Sequence, residues 1–569
     1  MNNSTPPVGL LASMIGYEAD RVQSAILRNP PAACAEFFLL KVADGGIVRR
    51  GLLGEAREHW GARWVRVEWD PLPAGEYELR VPGMPGPSAF IRVGEDVLWQ
   101  ETFHHVAVDQ MNRRAHVVSS RLGWQDCGFP LREANSHAAC MIGLADALQF
   151  RGEELSEVAR GRLRWHLAHG SRYLAKLQDI AAEKHGVKGG LVHAMETHES
   201  DVLFDDATKA VVAWLHALRE LAEHDAAERS DWLRRARAAY DWAARCAPPS
   251  AKSFDPIPHG APPDFVPAPE FATNQLMMRA WAAYELVAAG QEDLADDFFD
   301  LLRQLMARQI EPATAAGVSG HFRLFSTGEL TNKAWTHHLP KQALGYDLGA
   351  TFPDYLLPFI RAAQRWPDHA DAPRWLETVR RYAYGYYLPA ARANAFRLLP
   401  LGDFGPEGLL WFAGSWHGAN ALYGFAAALG CEFAALFDDP EFERVAYDNL
   451  QWIAGRNCGL TAESLKHSVI FSCDVPAGVA LPVSMIHGVG RRWAGGFACF
   501  RGGICNGFSA GDAFVFDVPA KREKDAPSAF TDEDWITHAG AWLSGLARLG
   551  RLHRPSLTAA VVAEEVLAR

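Results

Sequence analysis

Two acidic stretches lie at opposite ends of this chain, and each stands just ahead of an apolar run with helical spacing. The first is Gly123-Trp124-Gln125-Asp126-Cys127-Gly128-Phe129, where glycines mark a turn that would present Asp126 at a pocket rim. The second is Thr531-Asp532-Glu533-Asp534-Trp535. Carboxyl groups on separate elements suit cleavage of a glycosidic bond, which needs an acid to protonate the leaving oxygen and a base to activate water. The other reading of each stretch is structural, because Asp and Glu at a helix start satisfy free backbone N–H groups and the helix dipole. To act as the acid near neutral pH, Glu533 must hold its proton through burial or neighbouring negative charge, and Asp532 and Asp534 are placed to supply that charge.

Further candidates surround these two. Glu133 and His137 stand one helical turn apart and are expected to face one pocket. Trp124, Trp335, Trp416 and Trp535 are candidates for stacking on sugar rings, with His337 and His417 ordering the hydroxyls. Each Trp alone is equally readable as core. Arg456-Asn457, at a helix end, is expected to satisfy terminal carbonyls and brace the adjoining loop. No His/Cys cluster has metal-ligand spacing and no Gly-rich phosphate loop follows a strand, so neither a metal nor a redox or nucleotide cofactor is expected.

The elements that must position these groups fall into two kinds. Up to about residue 96, short apolar stretches such as Phe37-Phe38-Leu39-Leu40 and Trp64-Val65-Arg66-Val67-Glu68-Trp69 alternate with Gly- and Pro-bearing turns, which predicts a β-sandwich over 1–96. From 97 to 569 the apolar period becomes helical, over 137–150, 157–182, 207–224, 229–246, 271–289, 291–310, 351–365, 372–387, 417–438, 440–455 and 534–549, with a further helix near 97–115. Helices without an intervening strand pattern predict an all-α domain of paired hairpins in a ring. The connections 185–206, 247–270, 311–340, 389–416 and 458–530 are long, as functional loops are.

Composition sets outer limits. A chain of 569 residues that is 49% hydrophobic can bury a large core, and two domains are expected. The net charge of −12, without a Lys/Arg run, gives no support for nucleic-acid or anionic-membrane binding, so a neutral substrate fits better than a polyanion. Nine scattered cysteines without a CxxC pair, and no secretory pattern over 1–12, lead to the expectation of a cytoplasmic protein with reduced thiols. The sequence does not set the oligomeric state.

Several segments resemble a known family. Gly123-Trp124-Gln125-Asp126-Cys127-Gly128-Phe129 is similar to the GGWHDAGDY motif of the family 9 glycoside hydrolases, and Met14-Ile15-Gly16-Tyr17 resembles their opening NQVGY strand. Leu450-Gln451-Trp452-Ile453-Ala454-Gly455-Arg456-Asn457 resembles YLLGRNP, and Glu533 ahead of His538-Ala539-Gly540 resembles the C-terminal NEVAIDYNAG element. The resemblance implies an N-terminal Ig-like sandwich, an (α/α)6 barrel, inverting hydrolysis of a soluble oligosaccharide, Glu533 as general acid, Asp126 at the attacking water and Asn420 among polar residues near the active-site floor. Long loops around the mouth add an expectation of exo action.

Three departures qualify it. Phe129 stands where the family has the second Asp, its usual base, and a benzyl group accepts no proton. Either Asp126 takes that role, or Glu133 substitutes, or hydrolysis is lost. The spacing to His538-Ala539 is one residue short, so Asp532 holds the acid's place by count and Glu533 by side-chain identity. The family's His-His-Arg motif has no counterpart in 458–530. The rival readings are a carbohydrate-binding protein without turnover, and a lyase or epimerase using Arg491, Arg492 and Arg501 against a uronate.

Overall fold

The computed structural model describes residues 9–59, 62–118, 120–127, 131–195, 198–246, 270–323, 325–326, 347–348, 356–400, 402–404, 409–412, 420–457, 484–489, 501–508 and 530–552. Nine strands open the chain: β1 (Gly9–Leu11), β2 (Tyr17–Glu18), β3 (Gln23–Arg28), β4 (Glu36–Lys41), β5 (Ile47–Leu52), β6 (Ala56–His59), β7 (Ala62–Trp69), β8 (Gly75–Arg80) and β9 (Ala89–Gly94). They form a four-stranded sheet β1-β3-β7-β6 and a five-stranded sheet β2-β9-β8-β4-β5. Alternation decides the faces: Tyr77 and Leu79 of β8, and Ile91 and Val93 of β9, point inward while Glu76, Glu78, Phe90 and Arg92 do not.

Twelve helical elements follow among the described residues. α1 is a continuous rod of Val97–Phe103, a π-helical stretch His104–Asp109 and Gln110–Val117. The others are α2 (Ala134–Arg151), α3 (Glu157–His185), α4 (Phe204–Glu220), α5 (Ala226–Arg245), α6 (Thr273–Ala288), α7 (Ala295–Met306), α8 (Leu357–Arg365), α9 (Ala372–Tyr382, extended by a π turn and Leu388–Arg392), α10 (Asn420–Phe437), α11 (Pro440–Ile453) and α12 (Ile536–Leu552). Even-numbered helices form the inner ring: α2 packs on α12 and α4, α4 on α6, α6 on α8, and α10 on α12. Arg361 of α8 reaches Glu432 of α10 at 2.8 Å, which closes the circle. The architecture is a β-sandwich followed by an (α/α)6 barrel, as expected.

The inner helices are apolar almost all round because both of their faces are covered. α10 is long and apolar enough to cross a membrane, yet 78% of it is buried as barrel wall. Close approach in the ring depends on missing side chains: a Cβ on Gly143 of α2 would fall 2.1 Å from the Gly540 carbonyl oxygen of α12, and one on Gly540 would fall 2.3 Å from that of Ala139.

One expectation is corrected. The connections between helices hold short strands: the hairpin β10 (Val192–Ala194) and β11 (His198–Val202), the sheet β12 (Phe322–Arg323), β13 (Asp347–Leu348), β14 (Gly402–Phe404) and β15 (Leu409–Trp411), and the pair β16 (Cys505–Phe508) and β17 (Phe530–Asp534). Two to five residues each, they are too short to show a period of two in the sequence.

Sandwich and barrel are joined by buried polar groups. Glu18, at the end of β2, accepts from the Val97 and Leu98 amides at 3.0 Å each and so caps α1. Burial pushes this carboxyl up to about 7 despite those bonds. Arg66 of β7 and Arg456 both donate to Asp448 of α11, and Met14 N donates to Ala454 O at 3.0 Å. Arg456 also reaches the Phe396 carbonyl, and Asn457 Nδ2 the Trp452 carbonyl, so this pair braces the helix end and ties it to the sandwich.

Candidate active site

The Asp126 turn is held from every side by backbone contacts. Asp126 N donates to Leu131 O at 3.1 Å, and the Glu133 amide donates to Asp126 Oδ2 at 2.6 Å, folding the carboxylate back onto the start of α2. Its other oxygen, Oδ1, is buried and has no hydrogen-bond partner among the described residues. Arg114 of α1, itself fully enclosed, donates to the Gln125 carbonyl at 3.0 Å and the Asp126 carbonyl at 3.4 Å.

Behind the turn is a histidine and tryptophan cluster. His169 Nε2 donates to Gly123 O at 2.9 Å. His137 Nδ1 donates to Glu133 O and its Nε2 accepts from Trp124 N, both at 2.8 Å, which fixes a neutral tautomer, and burial pushes the ring down to about 3. Gly123 has φ +74°, and a Cβ there would lie 2.8 Å from both His137 Nε2 and the Tyr173 ring. Gly123→Ala is therefore expected to lower stability by about 2–4 kcal/mol, combining left-handed strain with overpacking, as read from denaturant unfolding.

The second acidic stretch comes to the same place. Ile536 N donates to Asp126 O at 2.9 Å, and Arg114 reaches Asp534 Oδ2 at 2.5 Å with both side chains fully enclosed. This stretch is strand β17, paired with β16, and α12 begins after it without an acidic residue in its first turn. The helix-capping alternative is thus replaced by a strand. Asp534 is also corrected as a source of unbalanced negative charge, since Arg114 neutralises it. Glu533 and Asp532 lie within β17, and their side chains fall outside the described residues, as does Phe129.

Next to Asp126 stands a chain of charged groups that the sequence reading missed. His193 of β10 donates from Nδ1 to Asp206 Oδ2 of α4 at 2.8 Å, and its Nε2 lies 3.7 Å from Glu133 Oε1. An isolated bridge between Glu133 and Ala194 aligns the two backbones, and Ser136 Oγ donates to Glu133 Oε2 at 3.1 Å. Burial alone would lower His193, but the Asp206 carboxylate with Glu133 holds it well above its usual range. Burial, then the Glu133 charge, pushes Asp126 up to about 7, against the weaker pull of the Glu133 amide, the Cys127 thiol and Arg114. In sequence, Asp205-Asp206 is indistinguishable from an ordinary acidic first turn, and nothing in the spacing joins it to His193.

The structure sorts the expected substrate contacts. Trp124 and His137 are corrected: both are fully buried, their rings stacked 5.1 Å apart, and they hold the turn from behind. Glu133 and His137 do not share a pocket, since Glu133 faces His193 while His137 turns inward. Asn420, 1% exposed at the start of α10, donates to Cys505 O at 2.7 Å and so holds β16. Trp535 is half-buried with its ring 6.2 Å from His538, whose Nε2 is 2.6 Å from Asn506 Oδ1. Trp335, His337, Trp416 and His417 lie outside the described residues, as do Arg491 and Arg492. Arg501 donates to the Gly488 carbonyl at 3.0 Å.

These groups gather where inner helices α2, α4, α10 and α12 begin. A cavity of about 1320 Å³ lies at the other end of the ring, lined by Arg151, Arg219, Trp281, Glu285 and Arg548 among others. Arg219 pairs there with Glu285 and Arg548 with Asp146, and neither Asp126 nor Asp534 lines this cavity.

No family model matches the sequence, and no curated protein matches it significantly. Solved structures do match over nearly the whole chain. A metagenome-derived glycoside hydrolase family 9 endoglucanase aligns with TM-score 0.61 at 18% identity, covering 95% of this chain and 99% of its own. A Bacteroides ovatus GH9 protein aligns with TM-score 0.58 at 15% identity, and AaCel9A in complex with cellobiose-like isofagomine with 0.57 at 14%, each covering 95% of this chain and 99% of its own. The chain has the fold of the family 9 glycoside hydrolases, in a divergent form. The likeness at this identity is one of fold.

Proposed function

We propose that this protein is a glycoside hydrolase that cleaves a soluble oligosaccharide by single displacement with inversion. The observation that carries the reading is the meeting of the two acidic stretches, with the Asp126 carbonyl bonded to the Ile536 amide directly behind β17. In the reaction, Asp126 takes a proton from water at Oδ1 as the water oxygen bonds to the anomeric carbon on one face. The bond to the leaving oxygen breaks on the other face, and that oxygen takes the proton of Glu533. Proton return from Asp126 to Glu533 through solvent resets the site.

A carboxylate with one oxygen fixed by a backbone amide and the other unpartnered is suited to a single proton transfer, and a base that titrates near neutrality is stronger than an ordinary Asp. The cellobiose-like ligand of AaCel9A makes β-linked gluco-oligosaccharides the first probes. The length of connections such as 458–530 in the sequence supports removal of units from a chain end. Incubation of wild type and Glu533→Gln with a panel of α- and β-linked oligosaccharides, followed by mass spectrometry, tests the reading. Wild type is expected to add one water per bond cleaved. The variant is expected to lose roughly 10²–10⁴-fold on natural linkages and much less on aryl glycosides, whose leaving group needs no acid. Equal losses on both, or a loss seen only with Asp532→Asn, would move the acid elsewhere. Sugar binding without turnover would favour a binding protein, and unsaturated products a lyase.

A further inference from the structure

We infer that Glu133, fixed by the His193 and Asp206 chain, is a positioning residue that keeps a negative charge against Asp126 and so strengthens this lone carboxylate as a base. The inference rests on the proposed hydrolase reading, and supplies what the site needs where Phe129 replaces a second aspartate.

The argument is geometric. Asp126 and Glu133 meet through the 2.6 Å bond from the Glu133 amide, at the point where α2 begins. The Glu133 carboxyl belongs to the residue whose amide holds Asp126, near enough for its charge to raise Asp126, and of two such groups the one with better partners ionises first. Glu133 has those partners: the Ser136 hydroxyl at 3.1 Å and the His193 ring at 3.7 Å, the latter backed by Asp206 at 2.8 Å. Asp126 has weaker partners, a backbone amide on Oδ2 and the Cys127 thiol. Among the described residues, Arg114 also faces Asp126, bonding its carbonyl and balanced by Asp534, while Asp205, beside Asp206, is pushed up to about 6 by its burial. The Ser136 and His193 contacts therefore favour negative charge on Glu133 and leave the exchangeable proton on Asp126. Asp126 then ionises late and takes a proton strongly. Without the cation at His193, Glu133 would hold the proton and Asp126 would be an ordinary, weaker base.

The test compares wild type, Glu133→Gln, His193→Gln and the double variant in two measurements. In the pH dependence of kcat/KM, both single variants are expected to move the acid limb to lower pH and to lower the maximum kcat about tenfold, with KM little changed. The double variant is expected to be no worse than either single one, because both act on the same proton. In parallel, ¹³C NMR titration of Asp-labelled protein, with the Asp126 signal assigned from Asp126→Asn, is expected to show the Asp126 titration moving down in each variant. An acid limb and an Asp126 titration unmoved in Glu133→Gln would overturn the inference. If wild type hydrolyses nothing, the NMR titration still decides the inference, while the hydrolase reading fails alone. Should His193→Gln fail to fold, with Asp206 buried and uncompensated, Glu133→Gln carries the decision.

Discussion

Asp126→Asn is expected to lose roughly 10²–10⁴-fold in turnover and, at pH 8, to be more stable than the wild type. On the proposed mechanism the loss follows from removing the group that takes the water proton. The gain follows from linkage. Burial and the Glu133 charge raise the folded-state Asp126 to about 7, above its unfolded value near 4. Below both values the carboxyl is protonated in folded and unfolded chains alike, and it costs nothing. As pH rises from about 4 to about 7 the unfolded chain gives up the proton and the folded one keeps it, so stability falls across that window. Above it, the penalty is complete, on the order of 4 kcal/mol. Asn carries no charge and is free of it. Denaturant unfolding at pH 4 and pH 8 checks this: the advantage of the variant over wild type should grow with pH. An advantage that is constant or shrinks with pH would show that Asp126 is ionised in the folded protein like an exposed carboxylate.

Asp448→Ala is expected to cost about 3–5 kcal/mol, a large part of a typical folding free energy. Asp448 is 2% exposed and accepts from Arg66 at 2.8 and 2.9 Å and from Arg456 at 2.6 Å. Burial would raise this carboxyl, but Arg456, Arg66 and Arg397 together hold it below the usual range. Its contribution is therefore present above pH 4 and lost as pH falls through the depressed folded value. Truncation strands two buried guanidinium groups between sandwich and barrel, and breaking one side of a buried pair is far costlier than replacing the whole. Thermal and denaturant unfolding would check it. A loss under about 1 kcal/mol would mean that water reaches the arginines and that this joint is looser than its contacts imply.

The layers of the fold were legible because each long helix repeats its apolar spacing many times. The expected 157–182 and 440–455 differ from α3 and α11 only at their ends. Short elements were not legible: β10 and β17 offer three and five residues, and pairing with distant partners decides them. The same limit applies to the site. Asp126 was visible because its glycine turn is local. His193 and Asp206 were not, since their meaning comes from a 2.8 Å contact across two elements and from shared burial against Glu133. Trp124 and His137 show the converse error, for residue types that recognise sugars at a surface also fill a core, and only enclosure separates the two uses.

The central claim is that the Asp126 turn and β17 together hydrolyse a glycosidic bond by inversion, and its most direct test is the anomeric configuration of the first product. Proton NMR followed from the first minutes of wild-type reaction with β-linked gluco-oligosaccharides, and then with the remaining panel members, records that configuration before mutarotation. The account predicts the α-anomer first from a β-linked substrate, decaying to the equilibrium mixture. Release of the β-anomer would require a covalent intermediate and contradict a water-activating Asp126, and absence of hydrolysis across the panel would contradict the enzymatic reading itself.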